Sequence, residues 1–151
     1  ISSIHIKRRY DIVKKLGLAI SMLKEAFGDN SKWKWSFVEL EGRFATVAKN
    51  LIDMKSAVKD YFDPRAEDYE TTVLYMRTII RLLNESATAY RDKYELSTRR
   101  IDDMRNGIKY LLALRKLYLA ISDSTNAEEV KKKALVWKDK MDNDRKKGQN
   151  S

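Results

Sequence analysis

The sequence predicts an all-α protein, and three observations support that prediction. Charged residues make up 35% of the 151 residues, whereas the chain holds only five glycines and one proline. Such a scarcity of turn formers is typical of helical proteins. Apolar side chains also recur at alternating steps of three and four residues, which is the period of a coiled-coil seam. We expect a single domain over residues 1–151, folded as an elongated antiparallel helical bundle or coiled coil of about four helices.

The longest apolar stripe predicts one very long third helix over about residues 65–121. Its residues form two lines with heptad spacing: Val73, Ile80, Ala87, Tyr94, Ile101 and Ile108 in one, and Tyr69, Met76, Leu83, Tyr90, Met104, Leu111 and Tyr118 in the other. Pro64 suits the opening of this helix, because proline lacks the backbone donor that the first helical turn leaves unused. No glycine interrupts the stripe before Gly107.

The middle of this stripe leaves the continuity of the helix open. Between Asn84 and Gly107 the seam residues become smaller and more polar, and charged residues surround them. An interruption would therefore fall either near Ser97 and Thr98 or at Asn106 and Gly107.

Two helices are predicted before the long one. The first covers about 6–27, has an apolar line that includes Val13 and Ile20, and ends at Gly28. Asp29, Asn30 and Ser31 can each cap the second helix, over about 31–62. Its two seam lines are Phe37, Phe44, Leu51 and Val58, and Leu40, Val47, Met54 and Tyr61. Asp63 and Pro64 then reverse the chain, so the second and third helices are expected to pack as a hairpin.

A last helix is predicted over about 125–145, folding back on the distal part of the third. Thr125 followed by Glu128 has the spacing of a capping box, which opens a helix. Ala127, Val130, Ala134, Trp137 and Met141 give this helix a modest apolar stripe. The charged segment 146–151 has no apolar anchor, and we expect it to fray, as we do for residues 1–5.

The residue types argue against an enzyme. The chain has no cysteine and one histidine, His5, and it contains neither a glycine-rich phosphate loop nor a nucleophile elbow. Neighbouring carboxylates such as Asp102 and Asp103 point about 100° apart on a helix, which suits solvent better than a metal. We predict no catalytic residue, no metal, no cofactor and no small-molecule substrate.

The net charge of +9 predicts an acidic partner. Residues 1–62 hold 12 Lys+Arg against 7 Asp+Glu, and residues 107–151 hold 11 against 6, so the excess lies towards both ends. Nucleic acid, anionic lipid and an acidic protein surface all fit this balance. The absence of cysteine and of a long apolar run predicts an intracellular protein, cytosolic or nuclear, that is soluble or peripheral to a membrane.

Two clusters are the predicted contacts for a partner or polyanion. The first is the run Lys32, Trp33, Lys34 and Trp35. Trp33 falls on the extended seam of the second helix, whereas Trp35 points the opposite way. An outward tryptophan can stack on a base, sit at a membrane interface or anchor a protein contact, and the alternative is that Trp35 packs internally. The second cluster lies on the basic last helix and comprises Lys131, Lys132, Lys133 and Lys138.

Self-association is predicted for the distal part of the third helix. From Ile108 onwards this helix is apolar on more than one face, which is more surface than one neighbouring helix can cover. The predicted contacts are Ile108, Leu112, Leu114, Arg115 and Leu119. A two-fold homodimer is the simplest arrangement.

From these observations we predict a coiled-coil assembly or scaffold module that self-associates and binds a protein partner. The alternative function is an accessory protein that binds nucleic acid or an anionic membrane through its basic terminal helices.

Overall fold

The computed structural model describes residues 5–28 and 32–150, and every regular element within these ranges is helical. This confirms the all-α class. The elements are α1 (Ile6–Phe27), α2 (Lys34–Asn50), α3 (Met54–Tyr61), α4 (Tyr69–Lys93), a π-helical turn (Tyr94–Thr98), α5 (Ile101–Ala120) and α6 (Ser124–Asn150).

The helices pack as two compact units, the first ending at Leu82 and the second beginning at Leu83. The division falls inside α4, so this helix contributes residues to both cores. The predicted single domain over residues 1–151 stays a prediction.

The predicted second helix over 31–62 is wrong, because the structure divides it into α2 and α3. Asp53 has extended backbone angles and precedes the first residue of α3. Its carboxylate accepts a hydrogen bond from the Ser56 hydroxyl at 2.8 Å. Aspartate is unfavourable inside a helix but is strongly preferred at the N-cap, the position directly before the first turn. A new helix therefore begins after Asp53.

The predicted third helix over 65–121, whose continuity the sequence left open, is interrupted in the structure, and the interruption lies at the first of the two sites considered. Arg99 takes left-handed angles, with φ 53°. The Thr98 hydroxyl accepts a hydrogen bond from Arg100 N at 3.2 Å and donates one to Asp103 at 2.5 Å. Local side-chain hydrogen bonds of this kind compete with the backbone hydrogen bonds of a continuous helix. The Asp103 carboxylate then stabilises the N-terminus of α5, which is the positive end of the helix dipole.

The core of the first unit centres on Tyr75 of α4, which is fully buried. Its ring lies 5.5 Å from that of Tyr10 on α1, and its hydroxyl donates to the carbonyl of Ala48 on α2 at 2.7 Å. Burial raises the pKa of Tyr75 to about 12. One side chain thus joins three helices, and it places α4 on one side of the α1–α2 pair.

The ends of the chain differ from the prediction wherever they are described. His5 does not fray: its ring accepts a hydrogen bond from Lys7 N at 3.2 Å and caps α1, and its Nε2 lies 3.1 Å from Asp68. At the other end, α6 continues as a helix to Asn150 through the segment predicted to fray. Residues 1–4, the predicted caps Asp29, Asn30 and Ser31, and Ser151 lie outside the described residues.

Candidate functional site

The candidate site is built on a hairpin of α5 and α6 in the second unit. The two helices pack along each other and are joined by a tight turn in which Ser122 has φ 59°. Asp123 caps α6, because its carboxylate accepts hydrogen bonds from Asn126 N at 3.1 Å and from the Asn126 amide at 2.6 Å. The cap is therefore Asp123, and the predicted capping box that begins at Thr125 is wrong.

The inner side of the hairpin is closely packed. Leu111 and Leu114 are buried on α5, and Trp137 is buried on α6. Gly107 allows the helices to approach, since a Cβ there would lie 3.2 Å from the carbonyl oxygen of Ala87 on α4 and 3.4 Å from the Trp137 ring. This side of the hairpin is complete within one copy of the chain.

The outer side of the hairpin is apolar but open. Tyr110 of α5 stacks on Tyr90 of α4 at 5.7 Å, and Leu112 lies two residues further on, about 160° away round the helix. Trp137 of α6 lies under Arg91 of α4, and Leu135 comes two residues earlier. Both leucines therefore point away from α4, and both are about half exposed.

We call this surface the hairpin face. Its members share the outer side of the α5–α6 pair by helical spacing, and they are Ile101, Ile108, Leu112, Arg115, Leu119, Lys131, Leu135 and Lys138. Leu119 lies one heptad after Leu112 and is 49% exposed. Side chains of both charge signs surround these residues, because Glu128 and Asp142 share this side of α6 with the lysines.

A polar cluster fixes the end of α6 against the π-helical turn. Buried Tyr94 donates a hydrogen bond to Asp144, which also accepts one from Lys140 at 3.1 Å. Burial, reinforced by the Asp144 carboxylate, raises the pKa of Tyr94 to about 12. The Tyr94 hydroxyl in turn lowers the pKa of Asp144.

The structure places the predicted self-association residues unequally. Ile108, Leu112, Arg115 and Leu119 all lie on the hairpin face, and Leu112 and Leu119 are exposed. The prediction of Leu114 as a self-association contact is wrong. Its side chain is 1% exposed and packs inside the hairpin, so it cannot contact a second copy. Its spacing of three from Leu111 is the signal that assigns it to the inner side.

The predicted lysines of α6 are all exposed but point in different directions. Lys131 and Lys138 belong to the hairpin face, whereas Lys133 Nζ lies 5.2 Å from the centre of the Trp137 ring. Lys132 lies between Lys131 and Lys133 in the sequence and points about 100° away from each of them around the helix. The structure thus brings two of these four lysines to the candidate site.

The predicted cluster around Trp35 belongs to the first unit. Trp35, which was predicted to point outward, is the less exposed of its two tryptophans, and Trp33, which was predicted to lie on the seam, is the more exposed one. Trp35 is half-buried with Lys34 Nζ 4.9 Å from its ring centre, whereas Trp33 is 46% exposed with Lys32 Nζ 5.2 Å from its ring centre. Trp33 precedes α2 rather than continuing its seam, because the helix begins only at Lys34. Trp33 is therefore the more accessible tryptophan.

Sequence reasoning missed Leu135 as a member of the hairpin face. The residue falls outside the stripe of α6, and only its position opposite Trp137 distinguishes it from an incidental surface leucine. Within the described residues, no three histidine, cysteine or carboxylate side chains are arranged to hold a metal ion. Likewise, none of the described helices has the length and apolarity needed to cross a membrane.

The chain belongs to the TP0443 family, whose model matches residues 1–145. No curated protein and no solved structure is similar enough to the chain to count as a match. The family description names no activity, so the functional argument rests on the surfaces described above.

Proposed function

We propose that this protein is a non-enzymatic assembly module, and that two copies associate through their hairpin faces. The observation that carries the proposal is the row of half-exposed leucines on the outer side of a hairpin whose inner side is complete. Soluble proteins rarely leave a contiguous apolar row of this kind in water unless it is a contact surface. Leu112, Leu119 and Leu135 are the proposed anchors.

The heptad spacing of this row supports helix-to-helix packing. Leu112 and Leu119 lie seven residues apart, as do Ile101 and Ile108, so a facing helix can insert side chains between them along its length. Two hairpins packed face to face would form an antiparallel four-helix bundle, which is the local form of the coiled coil predicted from the sequence.

The charges around the hairpin face favour a second copy as its occupant. In a two-fold interface the same surface meets itself, so a patch with one sign of charge repels its copy. Here Arg115 lies on the hairpin face of α5, and on α6 Glu128 lies three residues from Lys131 on the same side of the helix. Side chains of both charge signs are therefore available to form ion pairs across a two-fold axis. A further protein partner would bind outside the hairpin face.

Light scattering across a series of protein concentrations tests the proposal. We expect the 17.7 kDa chain to give twice its own mass, and Leu135→Glu to return it to a monomer. Each leucine contributes about 1.5 kcal/mol of burial and is lost twice per dimer, so the dissociation constant should rise about 100-fold. The matched control is Val136→Glu, an exposed apolar residue on the adjacent side of the same helix.

Salt separates this function from the alternative of polyanion binding. Apolar association persists or strengthens as salt is added, whereas attraction of nucleic acid to Lys131, Lys132 and Lys133 weakens steeply. A monomeric wild-type chain, or a dimer that Val136→Glu disrupts as strongly as Leu135→Glu, would contradict the proposal.

A further inference from the structure

The first unit has an open apolar face of its own, which lies outside the function proposed above. Each member is a large apolar side chain that lies exposed on α1, on α2 or directly before α2, and the members are Ile12, Leu16, Leu23, Phe27, Trp33 and Leu40. We call this surface the α1/α2 face. Leu18 and Met22, each 62% exposed, continue the apolar character round α1.

Helical spacing and one direct contact place these residues on the same side. Tyr10 of α1 packs on Tyr75, and Ile12, two residues later, therefore points away from α4. On α2, Leu40 likewise follows buried Val38 by two residues. The Phe27 ring meets the Trp33 ring edge to face at 6.1 Å, which joins the two helices into one continuous surface.

Basic side chains border this face. Arg8 and Lys15 lie four and three residues from Ile12, and Arg43 lies three residues from Leu40, so all three are neighbours of the face on their helices. Lys32 lies over the Trp33 ring. Two acids also lie close to the border, and each pairs with one of these bases, Asp11 with Lys15 at 2.9 Å and Glu39 with Arg43 at 2.7 Å. The border therefore keeps a net positive charge through Arg8 and Lys32.

The charge of the segment has the same sign. Residues 5–50 hold 10 Lys+Arg against 5 Asp+Glu. Two copies brought together through this face would oppose positive borders, which disfavours a second chain as its occupant. A surface with dense negative charge would pair with the basic side chains of the border, and an apolar layer beneath that charge would cover the apolar side chains at the centre of the face.

We propose that the α1/α2 face binds the surface of an anionic lipid bilayer. The pair of helices would lie in the plane of the interface, with Leu16 and Leu23 reaching below the headgroups. Trp33 would sit at headgroup depth, where tryptophan is favoured, and Lys32, Arg8 and Arg43 would contact the phosphates. The opposite side of both helices stays packed in the core of the first unit.

Vesicle co-sedimentation tests the inference with the whole chain. We expect binding to vesicles that contain phosphatidylglycerol, little binding to vesicles of phosphatidylcholine alone, and a decrease as salt is raised. Leu23→Glu should weaken binding at least about tenfold, because it puts a carboxylate into the apolar centre. Lys32→Glu should weaken it by about tenfold or more through the border.

The matched control is Leu74→Glu, which makes the same change on α4 at a leucine of equal exposure, 47% in both cases. It should bind vesicles like the parent chain, and circular dichroism should show that all variants keep their helices. Tryptophan emission gives a second readout. The blue shift on vesicles should be lost in Trp33→Phe and kept in Trp35→Phe.

Three results would overturn the inference. They are equal binding to both kinds of vesicle, an equal loss in Leu74→Glu, and no binding to vesicles at all. If poly-glutamate binds in place of the vesicles and Leu23→Glu abolishes that binding, the face belongs to an acidic protein. Light scattering on Leu23→Glu keeps this inference separate from the hairpin face, since the dimer mass should be unchanged.

Discussion

The first helix and the fifth have similar lengths and similar apolar content, but they bury very different shares of it. Only Arg9 and Val13 are buried on α1, whereas α5 buries six residues, among them Met104, Leu111 and Leu117. The helical pairs they belong to differ accordingly. The α5–α6 hairpin has a filled inner side and a narrow apolar row outside, while the α1–α2 pair leaves a broad apolar face in water.

This difference matters because the borders differ as well. The hairpin face is flanked by both signs of charge, and the α1/α2 face by basic side chains whose acidic neighbours are paired. A mixed border suits another protein surface, and above all a copy of the same surface. A border with a net positive charge suits a polyanionic surface. Burial thus distinguishes structural from accessible apolar residues, and charge then distinguishes the partners.

The largest expected effect compares a tryptophan from each region. Trp137 is 5% exposed and fills the space beside Gly107, so Trp137→Ala should lower the free energy of unfolding by about 3–5 kcal/mol. Trp33→Ala removes a ring that is half in water and should cost less than about 1 kcal/mol. Urea unfolding followed by far-ultraviolet circular dichroism measures both without depending on tryptophan emission.

Similar losses in the two tryptophan variants would break the comparison, because the first unit would then depend on its surface aromatics as much as the second depends on its core. The midpoint of unfolding should be read together with its slope, since two units need not unfold in one step.

The next effect concerns alkaline pH and applies to a buried tyrosine in each unit. The pKa values of Tyr75 and Tyr94 are raised from 10.0 to about 12. A raised pKa means that the folded state holds its proton more tightly than the unfolded chain, so the stabilisation is complete below pH 10 and is lost as pH rises towards 12. The loss should be on the order of 2 kcal/mol for each tyrosine.

Unfolding curves at neutral pH and between pH 10 and 12 measure this loss. Tyr94→Phe should be less stable at neutral pH, since Asp144 loses its donor, but should lose less on going to high pH. Tyr75→Phe should behave in the same way through Ala48. An unchanged alkaline loss in both variants would show that other groups control it.

Much of the fold could be predicted from the sequence, and the failures have local causes. The heptad lines predict α4, α5 and the return of α6, because apolar periodicity reports which side of a helix is buried. The same periodicity does not indicate where side-chain hydrogen bonds interrupt a helix, as those of Asp53 and Thr98 do. Asp53 is the N-cap residue of α3, and Thr98 lies two residues before Arg100, the N-cap of α5, within an apolar pattern of seven heptads. Local polar signals of this kind are weaker in a sequence than such a long apolar pattern.

The candidate surfaces were predictable only in part, for a related reason. Spacing placed Leu112 and Leu119 on one line, but whether a line is covered depends on which helix packs against it. Leu40 and Val47 form an equally good seam line in the sequence and are exposed in the structure. The covering of a face is a tertiary property, so the extent of the α1/α2 face could not be seen before the helices were assembled.

The smallest expected effect compares two helical glycines, one from each region. Alanine favours a helix over glycine by up to about 1 kcal/mol, so both Gly17→Ala and Gly107→Ala gain this term. A Cβ at Gly17 would meet the end of the Phe44 ring at 3.2 Å, and a ring can tilt towards the open α1/α2 face. Gly17→Ala should therefore leave the stability unchanged or raise it slightly.

At Gly107 the same Cβ would lie 3.2 Å from the backbone carbonyl of Ala87, which cannot move without displacing α4. Overpacking of this kind costs about 1–3 kcal/mol, so Gly107→Ala should be destabilised by about 1–2 kcal/mol in urea unfolding. Gly148→Ala, with open space around the glycine, controls for helix propensity alone. If Gly107→Ala were as stable as Gly17→Ala, the packing of the second unit would be as adaptable as that of the first, and the contrast between a closed hairpin and an open pair would be lost.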